Sequence, residues 1–444
     1  MTDPDRRHPR RARAGRVRAG LARWLAPAPA EAPQVPEQPP EAVLDLLRHL
    51  GAAMQRAGDA ADRVTLILDD VARTYAATGV RFFVLPTGVF VRIATGDSTR
   101  VDFAPIPRGA LRMDQVDALY RLIDDIRHAR LPVPEAAARL RTLLAAPAPV
   151  PAAVRVAGTG VLVLGLGLLL NPTLSALPAY LVLGALVGLL TLWSERAPAV
   201  AVVLPMLSAA VVTWLAFTLA EPVLHTPPLD IVIPTLVTLL PGAALTLATI
   251  ELSAGSMISG SSRLVYGLER LLLLTFGIAL GVEVAGLPTA PPDAVPLGPW
   301  APWAGVLVFG VGVVLAHAVP PRSLPWLLVV LVVAYGVQAL SGLVLGALGA
   351  SFVAGVVVLP VAYAIQGRPS GPPVPVTFLP AFWLLVPGAL GLEGVTEIVG
   401  ADTAAGLGDF LNALLTIVAV AVGVLVGSGV SERLGRATGG WRGL

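Results

Sequence analysis

The sequence predicts an all-α polytopic membrane protein: ten transmembrane helices in two inverted five-helix repeats, preceded by a small α+β cytoplasmic N-terminal domain. Three observations carry this. Of 444 residues, 55% are hydrophobic and 14% charged, and the apolar runs gather after position 150 in lengths close to the roughly 20 residues a spanning helix needs. The residues before 150 are charged and amphipathic instead. Finally, one unusual apolar segment occurs twice: Pro234, Pro241, Gly242, Ala243 and Glu251 are matched at identical spacing by Pro380, Pro387, Gly388, Ala389 and Glu397.

Composition also excludes chemistries. There is no cysteine, so no disulfide framework or thiolate metal site is available, and the 5 histidines are scattered. No metal and no cofactor are expected. Lysine is absent and the arginines crowd the N-terminal segment, so the small net charge says less than its distribution.

Residues 1–40 read as a disordered basic, proline-rich tail, with Arg6-Arg7 and Arg10-Arg11 but no apolar stretch of signal-peptide length after them. Residues 41–150 read as the soluble α+β domain. Amphipathic helices are expected over 41–56 and 59–78, short strands over 81–85, 88–94 and 99–103, and helices over 113–128 and 134–144. The turn signals Pro86-Thr87-Gly88 and Thr95-Gly96-Asp97 suit a small meander covered by helices. Asp69-Asp70 and Asp124-Asp125 are read as solvated helix faces, because adjacent residues on a helix point apart.

Ten spans follow, over 154–170, 177–193, 199–219, 231–252 and 264–285 in a first repeat (151–290), and over 301–319, 324–342, 344–365, 376–396 and 407–429 in a second (291–430). Residues 431–444 form a tail. With the N-terminal domain placed in the cytoplasm, the loops on that side hold Arg196, Arg263, Arg322 and Arg368, and the tail holds Arg433, Arg436 and Arg442. The opposite loops keep Glu221, Asp230, Asp293 and Asp402 and no arginine. Both termini are therefore expected inside. GVLVLGLG at 160–167 is echoed by GVLVFGVG at 305–312, and Leu177-Pro178 by Leu324-Pro325. An odd number of spans per copy forces the second copy to insert upside down, the frame that alternating access uses.

The functional residues are sought where the frame is broken. Pro241-Gly242 interrupts IVIPTLVTLLPGAALTLATIEL at 231–252, since proline removes a backbone donor and glycine leaves helical geometry cheaply. Broken backbone at membrane depth survives only in protein or beside a watery cavity, and a duplicated pair of such breaks points to a transporter's binding site. Thr235, Thr238, Gly242, Thr246, Thr249 and Ser253 form one small, polar stripe at helical spacing. Thr238, Pro241, Gly242, Thr246, Thr249, Pro387 and Gly388 are thus the candidate substrate-binding set, to which Arg270 is added as a bidentate partner for a carboxylate. Asn412, on one face with Asp409 and Thr416, is its counterpart in the tenth span.

An ionisable group at bilayer depth costs roughly 2.5 to 3.5 kcal/mol on insertion scales. Glu251 and Glu397, each ten residues past a break, are therefore candidate proton-coupling or gating groups, with Glu269 and Asp409 in reserve. The competing readings are snorkelling of Glu269 and Arg270 to the interface and exposure of Glu251 and Glu397 to headgroup water.

AGDAADRVTLILDDVARTYAATGV with the strands after it, LLPGAALTLATIELSAGSMISGSSRLVYGLERLLLL, and LLVPGALGLEGVTEIV resemble the threonine/serine exporter family and its two-polypeptide relatives linked to dicarboxylate export. The resemblance covers about 42–430. It implies a bacterial plasma (inner) membrane exporter of small hydrophilic amino acids driven by the proton gradient, with a cytoplasmic N-terminal domain and ten spans. Residues 1–40 depart from the family's pattern. The partners expected are a small-molecule amino acid, protons and the lipid bilayer, with no nucleic acid and with a homo-oligomer allowed. A dicarboxylate exporter of the succinate class is the runner-up, and it needs more basic groups in the core than Arg270 supplies. A passive channel and a membrane-embedded enzyme follow, the latter lacking any nucleophile elbow or His/Asp set.

Overall fold

A computed structural model describes residues 39–438 apart from 78, 96–97, 129, 171, 220–222, 287–295, 369 and 386–402. It opens with two amphipathic helices, α1 (Pro40–Arg56) and α2 (Ala61–Thr74). Their apolar faces bury Leu46, Leu47, Leu50 and Leu68 in one core with Val89 and Val91 of the sheet. Strands β1 (Val80–Leu85), β2 (Gly88–Thr95) and β3 (Ser98–Pro105) form an antiparallel meander in the order β1-β2-β3. The register sets Arg81 opposite Arg92, Phe83 opposite Phe90, and Phe90 opposite Phe103. Helices α3 (Met113–Arg127) and α4 (Val133–Ala145) complete the unit. The helix expected over 59–78 is shorter because Asp59 and Ala60 stand outside its first turn, and Ala76 adopts φ 53° just past its end.

The apolar part holds α5 (Ala152–Leu170), α6 (Leu177–Ser194), α7 (Pro198–Leu219), α8 (Pro228–Val237), α9 (Gly242–Ser253) and α10 (Met257–Ala285). After these come α11 (Ala301–His317), α12 (Leu324–Gln366), α13 (Val374–Leu385) and α14 (Thr403–Thr438). Among the described residues, 6 helices are long and apolar enough to cross a membrane, or 7 if α8 and α9 count as one span bent by 54°. The protein is a multi-pass membrane protein. The break between α8 and α9 falls where the sequence predicts it, with Pro241 at φ −80°, ψ 32°, outside helical geometry. Where two spans are expected over 324–342 and 344–365, α12 consists of two helical stretches that meet at a kink at Gly346 (φ 67°, ψ −178°), a conformation that glycine alone adopts freely.

Glycines set the closest helix contacts, since without a Cβ two backbones can approach to van der Waals distance. A Cβ built on Gly277 of α10 would lie 2.3 Å from the Met206 carbonyl oxygen of α7, and one on Gly281 2.7 Å from that of Ala210. The pair α12 and α14 repeats this contact: Gly423 would meet the Phe352 oxygen at 2.3 Å and Gly427 the Val356 oxygen at 2.6 Å. All four residues of the second set follow those of the first at one constant sequence offset, the one that separates Pro241 from Pro387. Helices α5 and α11, which carry the two echoing glycine segments, pack against each other in opposite directions. Gly158 faces Leu315 and Ala316, Gly165 faces Phe309, and Gly305 faces Leu168.

Candidate functional site: a cavity at the helix break and a charged junction below it

Among the helices of the apolar part lies a cavity offering about 110 Å³ to water. Its lining comes from four places in the chain: Leu162 and Leu166 of α5; Val237, Thr238, Leu240, Gly242 and Ala243 around the break; Phe309 and His317 of α11; and Trp383 of α13. The break supplies its polar backbone. Pro241 caps α9 without a side-chain hydrogen bond to the first turn, so the opening amides of α9 carry the partial positive end of that helix toward the cavity wall. His317 lines the cavity, and its ring lies 4.9 Å from that of Trp383.

The threonine stripe is divided by the structure. Thr238 lines the cavity while its hydroxyl donates to the Thr235 carbonyl at 3.0 Å. Thr235, Thr249 and Ser253 likewise donate back along their own helices, to Ile231, Leu245 and Thr249, the usual way such hydroxyls are satisfied in apolar surroundings. Thr246 differs: it is fully buried, lies outside the cavity lining, and its hydroxyl has no hydrogen-bond partner among the described residues.

Below the break, α9 ends at Ser253, and Gly255, with φ +89°, reverses the chain into α10. That reversal returns Arg263 to Glu251, Nε to Oε2 at 3.1 Å. Glu251 is fully buried, and its other oxygen accepts the backbone N–H of Ala61 at 2.9 Å. Ala60, the N-cap of α2, has no side-chain oxygen to offer, so a membrane-helix carboxylate caps a helix of the N-terminal unit, where anionic charge also suits the helix dipole. Arg263 continues the junction, donating to Gln55 Oε1 at 2.8 Å and to the Asp59 carbonyl at 3.1 Å. Ser256 donates to Asp62, and Arg322 to Asp117.

Behind this contact the Tyr120 hydroxyl donates to Asp59 Oδ2 at 2.6 Å, with the Arg63 guanidinium 5.3 Å from the Tyr120 ring centroid. Burial pushes the Asp59 carboxyl above its ordinary value, against the lowering influence of Arg63, Tyr120 and Arg263. The burial of Glu251, and its bridge to a distant helix amide, have no signal in the local pattern.

The other candidate residues are dispersed. Arg270 is half-buried on α10, with Nε 3.8 Å from the exposed Glu269 and its guanidinium 5.1 Å from the Tyr266 ring centroid, and it does not line the cavity. Asn412 is exposed on α14, where its carbonyl accepts the Thr416 hydroxyl at 2.7 Å. Asp409 lies on the same helix with its side chain outside the described residues, as are Pro387, Gly388 and Glu397 altogether. His317 and Trp383 are absent from the expected set, although His317 was legible as an ionisable group inside the span expected over 301–319.

The family model for threonine/serine exporters, ThrE, matches residues 45–285, more than half of the chain. The chain belongs to the threonine/serine exporter family. The match runs from α1 to the end of α10, so it takes in the N-terminal unit, the Pro241-Gly242 break and the whole Glu251–Arg263 junction. No curated protein and no solved structure matches the chain.

Proposed function

We propose that this chain is a secondary active transporter exporting small hydroxylated amino acids, threonine or serine, by proton antiport, with alternating access around two Pro-Gly-broken helices. One observation carries the reading. The cavity is lined by the first and fourth expected spans of one copy (α5; α8 and α9) and by the corresponding spans of the other (α11; α13), the place where a transporter built from two inverted repeats holds its substrate.

The ten-span inverted frame is part of this proposal. It is supported by the α7–α10 and α12–α14 glycine contacts, which recur at one sequence offset, and by the opposed directions of α5 and α11. Gly346, between the expected seventh and eighth spans, supports reading α12 as two elements. The arginines on the side of the N-terminal unit, Arg263 and Arg322 among them, support a cytoplasmic location for both termini in a bacterial plasma membrane.

The lining supports this substrate class. The amides opening α9 suit a carboxylate, Thr238 suits a hydroxylated side chain, and Leu162, Leu166 and Phe309 limit its size. Among the lining residues only His317 can carry positive charge, which disfavours a dicarboxylate. Of the acids assigned to coupling, Glu251 is the one whose described side chain is buried and ion-paired. Its contacts with Arg263 and with the Ala61 amide join the membrane helices to the N-terminal unit, which supports the coupling assignment. Counterflow in proteoliposomes across a panel of amino acids and dicarboxylates tests the reading. Exchange of labelled threonine or serine is expected. Exchange confined to dicarboxylates, or downhill flux indifferent to the proton gradient, overturns it.

A further inference from the structure

The outer face of the three-stranded sheet is unlike the rest of the N-terminal unit. Phe83, Phe90, Val101 and Phe103 stand exposed on it, at 52%, 36%, 60% and 43%. The phenylalanines form one row across the strands, with ring centroids 6.2 Å apart for Phe83 and Phe90 and 4.7 Å apart for Phe90 and Phe103. The next row sets Arg81 directly opposite Arg92, both exposed. Neither forms an ion pair among the described residues, in a unit whose other arginines are mostly paired with aspartates or glutamates. Like charges directly opposite in a sheet are destabilising unless something anionic lies between them, and an apolar row this exposed on a folded unit marks an interaction surface.

The position of the sheet identifies the occupant. Strand β1 lies against α10, a helix long and apolar enough to cross a membrane, whose flank leaves Met257, Ile258, Val265 and Leu272 exposed. The aromatic row is thus carried beside the edge of the bilayer. We propose that this face rests on the membrane surface, with Phe83, Phe90 and Phe103 at headgroup depth and Arg81 and Arg92 binding anionic lipid headgroups. Aromatic rings with an apolar body suit the interface, and each arginine near an anionic leaflet adds to the attraction. A second copy meeting this face through its own sheet would set arginine against arginine, and the N-terminal tail, rich in arginine itself, meets the same repulsion.

The chain has no cysteine, so the full-length protein can be labelled at one chosen site. Phe90→Cys carrying a nitroxide is placed in nanodiscs of phosphatidylcholine alone or mixed with phosphatidylglycerol, and its collisions with a water-soluble relaxation agent are measured. Two arginines make the docked-to-free ratio roughly 30-fold higher on the anionic bilayer, so the label is shielded there and open on the neutral one. A label at Arg139, exposed on α4, stays open in both. Arg81→Gln with Arg92→Gln, which preserves polarity and the strand, abolishes the difference while leaving transport in place. Equal accessibility in both lipids overturns the proposal. So does shielding in detergent that rises with protein concentration, which assigns the face to a second copy, or shielding lost when residues 1–38 are removed, which assigns it to the tail. None of these readouts depends on the substrate, so this proposal and the exporter reading fail separately.

Discussion

The Glu251 carboxylate and the Ala61 backbone amide are 2.9 Å apart. One belongs to the lower half of a broken membrane helix, the other to the first turn of a helix in the N-terminal unit. The cavity-lining Gly242 opens the same helix that Glu251 anchors, so one short helix, α9, connects the contact with the N-terminal unit to the break. Arg263 closes the contact from a second direction.

Glu251→Ala leaves the Arg263 guanidinium without its carboxylate in a largely buried place, a change that costs about 3 to 5 kcal/mol. The variant is expected to melt earlier in detergent and to be cut sooner by protease in the 146–151 linker. Glu251→Gln keeps an oxygen for Ala61 and loses only the charge. If Glu251 also carries the proton, Glu251→Gln retains substrate-for-substrate exchange and loses concentrative transport. Uphill transport at wild-type rate across a range of pH removes Glu251 from coupling and turns the search to Glu269, Glu397 and Asp409.

Cysteine scanning discriminates the threonines. Thr238→Cys lines the cavity and is expected to react with a small water-soluble thiol reagent and to be shielded by substrate. Thr246→Cys, fully buried and outside the lining, is expected to react far more slowly in this state. Equal labelling of both in the resting protein contradicts the cavity as described.

The paired glycine contacts predict paired consequences. Gly277→Val and Gly423→Val each drive a branched side chain into a carbonyl 2.3 Å from the new Cβ, and over-packing of this kind costs about 1 to 3 kcal/mol or more. Both variants are expected to lose stability and transport to a similar degree. A harmless change at either position argues against equivalent packing in the two halves.

The N-terminal unit is expected to lose stability at alkaline pH. Burial raises the Tyr75 hydroxyl to about 12, and it donates to the Leu131 carbonyl at 3.0 Å. A group whose folded value is raised contributes stability that is present below its unfolded value and lost as pH rises through the folded one. Unfolding is therefore expected to become easier between about pH 10 and 12, and Tyr75→Phe is expected to flatten that step. Asp59, also raised, acts in the same direction from the ordinary carboxylate range upward, so Asp59→Asn is expected to reduce the loss of stability on leaving acid pH.

What the sequence determined by itself is whatever depends on local pattern. Apolar length set the membrane helices, alternation and turn residues set the meander, and Pro241-Gly242 set the break, because proline chemistry acts on its own turn wherever the helix is placed. Thr238 and Gly242, beside that break, line the cavity. Only the tertiary structure decided what meets across long separations. Residues 190 positions apart supply the Glu251–Ala61 contact, and His317 and Trp383 reach the cavity from helices far from the break along the chain. It also decided which polar residue of a stripe is open and which is sealed. Thr238 and Thr246 have the same side chain on one predicted face, but the 54° bend at the break turns the two halves differently, and a helical period cannot register a turn made by the chain that interrupts it.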